Sequence, residues 1–227
     1  MAMTRAHVRW IGLILASVML ASCGTQEGPG TAGLIFERLK GAPEPSRFSP
    51  SRAELAAAGV NQPLLRVVTQ VPVTQSAGYI LRGQANGAQF YGANDGSELQ
   101  VRAGLIQSTV GFVGDLDGTN ITAPARAIAT GQGRYSRVLR HRRSEGKLFE
   151  TQINCTVTRV GAEQVVILGR SHNTTRVAES CRAANEDPAG RTLAFENTFW
   201  LENGAVRASE QWVSYETGTL RLEQVLP

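Results

Sequence analysis

Three cysteines carry the most readable chemistry in this chain of 227 residues. Cys23 follows Leu20-Ala21-Ser22, and ahead of it an apolar run from Trp10 to Met19 follows the basic start Arg5, His7 and Arg9. That run falls short of the roughly 20 residues needed to cross a hydrocarbon core, so residues 1–22 read as a removable export segment. Small residues directly before a cysteine match a bacterial lipobox, in which the Cys23 thiol is acylated and Cys23 becomes the first residue. Several acyl chains on one residue anchor stably, where a single chain holds only marginally. Gly24 is not the aspartate that marks inner-membrane retention in many enteric bacteria. The expected address is therefore the outer membrane, lipid-anchored and facing the periplasm. Cys155 and Cys181 remain, and in an oxidising compartment two cysteines allow one pairing. A structural disulfide there contributes about 3 to 4 kcal/mol in the chain-entropy model; the alternative is a reactive thiol. Neither cysteine has a second ligand at C-x-x-C spacing, so no metal is expected. No cofactor motif is present either.

The remaining candidates are less specific. Arg134, Arg137, Arg140, Arg142, Arg143 and Lys147 are offset by Glu145 alone. On a strand, Arg134, Arg140 and Arg142 share one face while Arg137, His141 and Arg143 share the other. Such a strand could meet an anionic polymer, or it could be a solvated edge guarded by charge. Nucleic acid is not an expected partner in the periplasm. Asp115-Leu116-Asp117-Gly118-Thr119-Asn120 suggests a metal loop only superficially, because Arg126 stands where an EF-hand needs its last glutamate; a polar turn is expected. His141 and His172 lie in no nucleophile or metal motif and read as structural or solvated. Phe195, Phe199, Trp200, Trp212 and Tyr215 crowd the C-terminal region, as a β core or as a groove for a glycan or a partner.

These residues must be positioned by a β-rich body. Residues 23–32 are polar and glycine-rich, as a flexible tether is, and residues 33–227 form a single periplasmic domain. Gly33–Lys40 has helical spacing, and Ser51-Arg52-Ala53-Glu54 matches a capping box before a short helix stopped by Gly59. From Leu64 the chain alternates β-rich runs with turn residues. Candidate strands cover 64–71, 78–85, 89–93, 98–101, 105–110, 133–142, 148–160, 164–172, 193–201, 205–214 and 219–226. Ala178 to Ala184 is a candidate helical turn. Asn86-Gly87 and Asn203-Gly204 are strong hairpin signals. About eleven antiparallel strands in one domain must curl to hide their edges. The fold class is therefore all-β, a large curved antiparallel meander resembling a half-barrel, with one or two short N-terminal helices. The composition, 42% hydrophobic and 19% charged with 23 Lys+Arg against 19 Asp+Glu, excludes a coiled coil, a collagen-like rod and a disordered chain.

Four features in order resemble the YjbF-like family of bacterial lipoproteins, a group associated with exopolysaccharide and group 4 capsule production. They are the lipobox at Cys23 and the segment Gly104-Leu105-Ile106, Thr109, Gly111-Phe112, Asp115-Leu116. Cys155 with Arg176, Glu179 and Cys181 follows, and then Phe195, Asn197, Phe199-Trp200, Gly204, Ser209, Gln211-Trp212-Val213 and Gly218. Tyr215 departs from a proline expected in many relatives, and Thr219 from a larger residue. The resemblance implies a large antiparallel meander, an outer-membrane lipoprotein and an accessory role in polysaccharide secretion. It supplies no catalytic residues.

The expected function is thus non-enzymatic help in exopolysaccharide or capsule assembly or export, by contact with the polymer or with envelope export proteins. Asn197, Trp200, Gln211 and Trp212 are the candidate recognition residues, with Arg140 and Arg142 as electrostatic candidates for an acidic polymer. Two alternatives differ in class. One is a carrier or chaperone sheltering an acyl chain or a partner's apolar segment in its concave face. The other is a glycan-acting enzyme using carboxylates such as Asp115 and Glu179.

Overall fold

A computed structural model describes residues 47–69, 74–142, 145–186 and 192–226. The export segment, Cys23, the tether, the helix expected at Gly33–Lys40 and Arg143 lie outside the described residues. The first described element is α1 (Arg52–Ala57), and it carries the expected capping box: Ser51 Oγ accepts from the Glu54 N–H, and Glu54 Oε2 accepts from the Ser51 N–H at 2.6 Å. Two backbone donors at the helix start are thus satisfied by side chains, which is why so short a helix starts where it does. Leu55 is its one buried side chain.

Twelve antiparallel strands follow in one sheet: β1 (Leu64–Thr69), β2 (Gln75–Ala85), β3 (Ala88–Gly92), β4 (Glu98–Arg102), β5 (Leu105–Val110), β6 (Asp115–Thr119), β7 (Gln132–Arg142), β8 (Leu148–Ile167), β9 (Arg170–Ala183), β10 (Ala194–Glu202), β11 (Ala205–Ser214) and β12 (Gly218–Leu226). Their spatial order is β5-β4-β3-β2-β1-β12-β11-β10-β9-β8-β7-β6. Neighbours in the sheet are consecutive in the chain except at the pairing of β1 with β12, which joins the two meanders. The sheet curls into a nearly closed barrel whose two edges, β5 and β6, are consecutive in the chain. Side chains stitch this seam. Thr109 Oγ1 donates to Asp115 Oδ1 at 2.8 Å and accepts from the Leu116 N–H at 2.9 Å, while Asp115 also accepts from the Gly111 and Phe112 N–H groups. An exposed edge is a template for aggregation, and here each edge covers the other.

The seam also rests on the opposite wall. Gln211 on β11 accepts from the Ile106 N–H and donates to the Gly104 carbonyl, both at 2.9 Å. The Gly114 carbonyl accepts from Ser214 Oγ at 2.8 Å and Thr217 Oγ1 at 3.0 Å. Gly114 is required by this approach, because a Cβ there would stand 2.2 Å from a Glu216 oxygen and 2.6 Å from Ser214 Oγ. Tyr91, Leu99, Ile153, Val213 and Leu220 fill the space between the walls.

Four expectations need correction. Asp115–Thr119 is a strand rather than a polar turn, held by the seam bonds of Asp115. The strands expected at 148–160 and 164–172 are replaced by one long hairpin, with β8 running through to Ile167 past a register shift at Arg159/Gly161. Its turn is Leu168-Gly169, with φ of 44° and 77°. Of the segment 178–184 expected as a helical turn, residues 178–183 are extended in β9, because their inward face carries Glu179, Cys181 and Ala183 into the core. Finally, α2 (Thr122–Thr130) lies mid-chain, beyond the N-terminal helices expected. It ends on Gly131 in the left-handed conformation at φ 72°. Its Ala127 and Ile128 pack with Leu105, Val157, Val177, Phe199 and Leu201 and plug the barrel end at which β7 begins.

A second, smaller core lies on the outer face, where Leu55 of α1 and Val165, Ile167 and Leu168 of the long hairpin pack on Leu64, Trp200, Ala208 and Val225.

Candidate functional site

At the end opposite α2 the barrel wall is interrupted, and the interruption starts from a buried polar chain. Cys155 and Cys181 stand directly opposite each other in the β8–β9 ladder and are bonded, with S–S 2.03 Å and Cα–Cα 4.1 Å. The structural disulfide expected from the cysteine count is present. A Glu179 oxygen lies with both sulfurs inside 4.8 Å, but sulfurs bonded to each other offer no thiolate to a metal. Glu179 is wholly buried, and Burial pushes its carboxyl up to about 7. The Asn197 amide donates to Glu179 Oε2 and opposes that shift. Arg137 Nη2 is 3.6 Å away, and burial pulls its guanidinium down to about 10, still protonated at neutral pH.

Asn197 has a second task. The β10–β11 ladder ends at Thr198↔Glu210, and the Asn197 Oδ1 then accepts from the Trp212 N–H at 2.7 Å. A side chain thus takes the place of a ladder carbonyl, and Trp212 is held where the two strands part. Its indole stacks on Phe195, with centroids 4.6 Å apart and planes 13° from parallel. His141 meets it edge-on at 5.2 Å and Tyr215 at 5.7 Å.

This aromatic group forms one wall of a cleft of about 160 Å³. Phe149, Thr151, Gln152, Asn185 and Leu193 line it further, together with the carboxylates of Glu150, Glu186 and Glu216. The lining combines apolar ring surface with hydroxyls, amides and carboxylates, the mixture that orients a small polar ligand carrying an apolar face.

Of the six recognition candidates, Asn197 and Trp212 come together here, Asn197 buried as a positioning group and Trp212 half-buried in the cleft wall. Gln211 faces the interior and fastens the seam. Trp200 belongs to the outer core, where its indole N–H donates to Glu163 Oε1 at 2.9 Å and the Arg221 guanidinium sits 4.9 Å from its ring. Arg140 and Arg142 lie on the outer face of β7, each paired: Arg140 with Glu150 at 2.7 Å and Arg142 with Asp117 at 2.9 Å. Strand β7 is second from the seam rather than the edge itself, and its basic run divides between this outer face and the buried Arg137. His141, Phe149 and Glu216 were not among the sequence candidates for recognition. Strand alternation does put His141 with Arg137, but nothing local signals that Phe149 across the ladder closes the same cleft.

Residues 44–225 match the family model described as group 4 capsule polysaccharide lipoprotein gfcB, YjbF. Among solved structures, the chain is similar to the hypothetical lipoprotein YmcC from Escherichia coli K12, with 17% identity and a TM-score of 0.61 over 78% of this chain and 98% of that one. At that identity the likeness shows the fold. A lipoprotein from Parabacteroides distasonis aligns at 9% identity and a TM-score of 0.37, over 72% of this chain and 92% of that one. No curated protein matches the sequence. Among the described residues no helix is long and apolar enough to cross a membrane.

Proposed function

The chain belongs to the group 4 capsule polysaccharide lipoprotein family, and from that premise we propose that it is a non-enzymatic accessory factor in the assembly or export of an exopolysaccharide. It is anchored through acylated Cys23 in the outer membrane and faces the periplasm, where it meets the polymer itself or the envelope proteins that export it. The observation that carries the reading is the cleft around Trp212, where stacked aromatic surface meets hydroxyls, amides and carboxylates at an open end of the barrel.

Two further observations favour this reading over the alternatives. Much of the concave face is occupied by the buried Tyr91, Leu99, Ile153, Val213 and Leu220, and the space of about 370 Å³ beside Tyr91 is lined by Gln89, Arg207, Ser209 and Gln224 as well as by apolar residues, a mixed lining less suited to an acyl chain than an apolar tunnel. The carboxyl whose titration would suit a general acid, Glu179, is sealed from solvent, and Asp115 is engaged at the seam. A general acid must reach the proton acceptor on its substrate.

The test is exported polysaccharide in a deletion strain complemented with wild type or with Cys23→Ala. Polymer lost on deletion, restored by wild type and not by a stable Cys23→Ala protein, is the expected result. Unchanged polymer in a strain that does secrete it would sink the role and bring the carrier reading forward.

A further inference from the structure

We propose that the Trp212 cleft is a subsite for one pyranose ring of a glycan, and that it prefers a ring without a carboxylate. The inference rests on the polysaccharide reading above and adds the size and charge class of the unit recognised.

Size comes first. A cavity of about 150 Å³ is known to accept a single benzene ring, and this cleft measures about 160 Å³. Because the cleft is open on one side, it has room for the face of one six-membered ring with its substituents, and the rest of a polymer, projecting outside. The shape of the chemistry agrees. A pyranose presents C–H groups on its faces and hydroxyls around its equator. The Trp212 indole, fixed against Phe195 and braced by T-shaped contacts with His141 and Tyr215, belongs to a rigid aromatic wall of the cleft, and aromatic surface suits such C–H groups. Because the Trp212 ring is already held by stacking on Phe195 and its backbone N–H by Asn197 Oδ1, little freedom remains to be lost on binding. Thr151, Gln152, Asn185 and Ser214 also line the cleft, offering both donors and acceptors to equatorial hydroxyls.

Charge selects among rings. Glu150, Glu186 and Glu216 all line the cleft. A carboxylate accepts hydrogen bonds from sugar hydroxyls but repels a second carboxylate, and the repulsion strengthens where water is partly excluded. At this rim Arg140 pairs with Glu150 at 2.7 Å on solvent-exposed side chains, so Arg140 serves the protein's own carboxylate instead of a uronic acid. The sequence pointed to Arg140 and Arg142 as receivers of an acidic polymer, and the cleft assigns recognition to a different group of residues with the opposite preference.

The experiment titrates the full-length lipoprotein in detergent with tetramers of glucose, galactose, N-acetylglucosamine and galacturonate, by calorimetry and tryptophan fluorescence. At least one neutral tetramer should bind, with galacturonate about tenfold weaker or absent, and Glu216→Gln should narrow that gap. Trp212→Ala should weaken neutral binding about tenfold or more with the fold intact by circular dichroism. Should that variant unfold, Trp212→Phe keeps the stack on Phe195 with a smaller platform, and a severalfold loss is expected. Galacturonate binding as tight as the neutral tetramers would overturn the charge preference. No neutral binding, or neutral binding indifferent to both Trp212 variants, would overturn the subsite. If no tetramer binds while the deletion strain still loses exported polymer, the subsite fails and the polysaccharide role stands. If tetramers bind through Trp212 while deletion leaves export unchanged, the role fails and the subsite stands.

Discussion

Trp200 and Trp212 sit on neighbouring strands of the same sheet and illustrate two uses of one side chain. Trp200 is 6% exposed and every part of it is engaged: its N–H by Glu163, its face by Arg221, its rim by Leu55, Leu64, Val165 and Val225. It stands inside the ladder opposite Ala208, beside a register shift at Trp200/Leu201 across which pairing resumes. Trp212 lies beyond the point where that ladder stops, fixed by Phe195 and by the Asn197 bond to its backbone, with part of its surface open to a cleft. A tryptophan surrounded on all sides fastens the fold. One held from behind at a break in the sheet is placed to meet something else.

The largest expected effect tests this contrast directly. Trp200→Ala should cost about 3–5 kcal/mol of unfolding free energy, as removal of a buried tryptophan does, read from the urea midpoint. Trp212→Ala should cost about half of that or less, because a half-buried ring gives up less burial. Equal costs would make Trp212 a core residue and dissolve the distinction. Next in size is the disulfide. Phe195, the stacking partner of Trp212, stands opposite Cys181 in the β9–β10 ladder, so the bridge braces the cleft side. Cys155→Ser with Cys181→Ser should lose about 2–4 kcal/mol. The environment of Trp212 should change in the near-ultraviolet spectrum, and that of Trp200 should hold. The reverse pattern would mean that the bridge supports the outer core instead.

The contrast was only half legible in the sequence. The capping box at Ser51 and the Asn-Gly turns were readable because each is a local rule satisfied by residues three apart or fewer. Asn86-Gly87 and Asn203-Gly204 do adopt positive φ in pairs. The turn at Leu168-Gly169 uses the same backbone geometry, but a leucine there signals a strand. It accepts the strained conformation because its side chain packs on the outer core, a contact made by chain ends far apart in sequence. β6 was hidden for a related reason: Asp115 looks like a turn former until Thr109 and the Gly111 and Phe112 amides are seen to need its oxygens. Trp212 and Asn197 were both visible as candidates. Their division of labour depends on where the β10–β11 ladder stops, which no spacing encodes. Gln211 looked equally suited to recognition, but its amide is committed to the seam.

A third prediction concerns the buried chain behind Trp212. The Glu179 carboxyl is raised from about 4.5 to about 7 by burial, so the folded state holds a proton that the unfolded chain has released over that interval. Stability from this group is fully present below pH 4.5 and is lost as pH rises through about 7, a change on the order of 3 kcal/mol. Glu179→Gln should flatten this decline, and the difference between the two proteins isolates Glu179 from His141 and His172, which both retain. Measured urea midpoints that fall equally in the two proteins would show the slope to come from elsewhere. Because Glu179 reaches Trp212 through Asn197, the Trp212 fluorescence should respond over the same interval in wild type, while that of Trp200 does not.

The smallest effect belongs to the outer face of β7. Arg140 and Glu150 are each 56% exposed, and an ion pair so open to solvent contributes little to stability. Arg140→Ala should therefore leave the urea midpoint nearly unchanged. Glu150 also lines the cleft, so the substitution unmasks a negative charge beside Trp212 without touching the aromatic wall. Discrimination against a carboxylate-bearing ring should increase, and this increase should fade as added salt shortens the Debye length to about 3 Å near 1 M. If instead Arg140→Ala abolishes binding of an acidic tetramer that the wild type retains, the basic strand is the receiving surface after all, and Trp212 reverts to the role Trp200 plays.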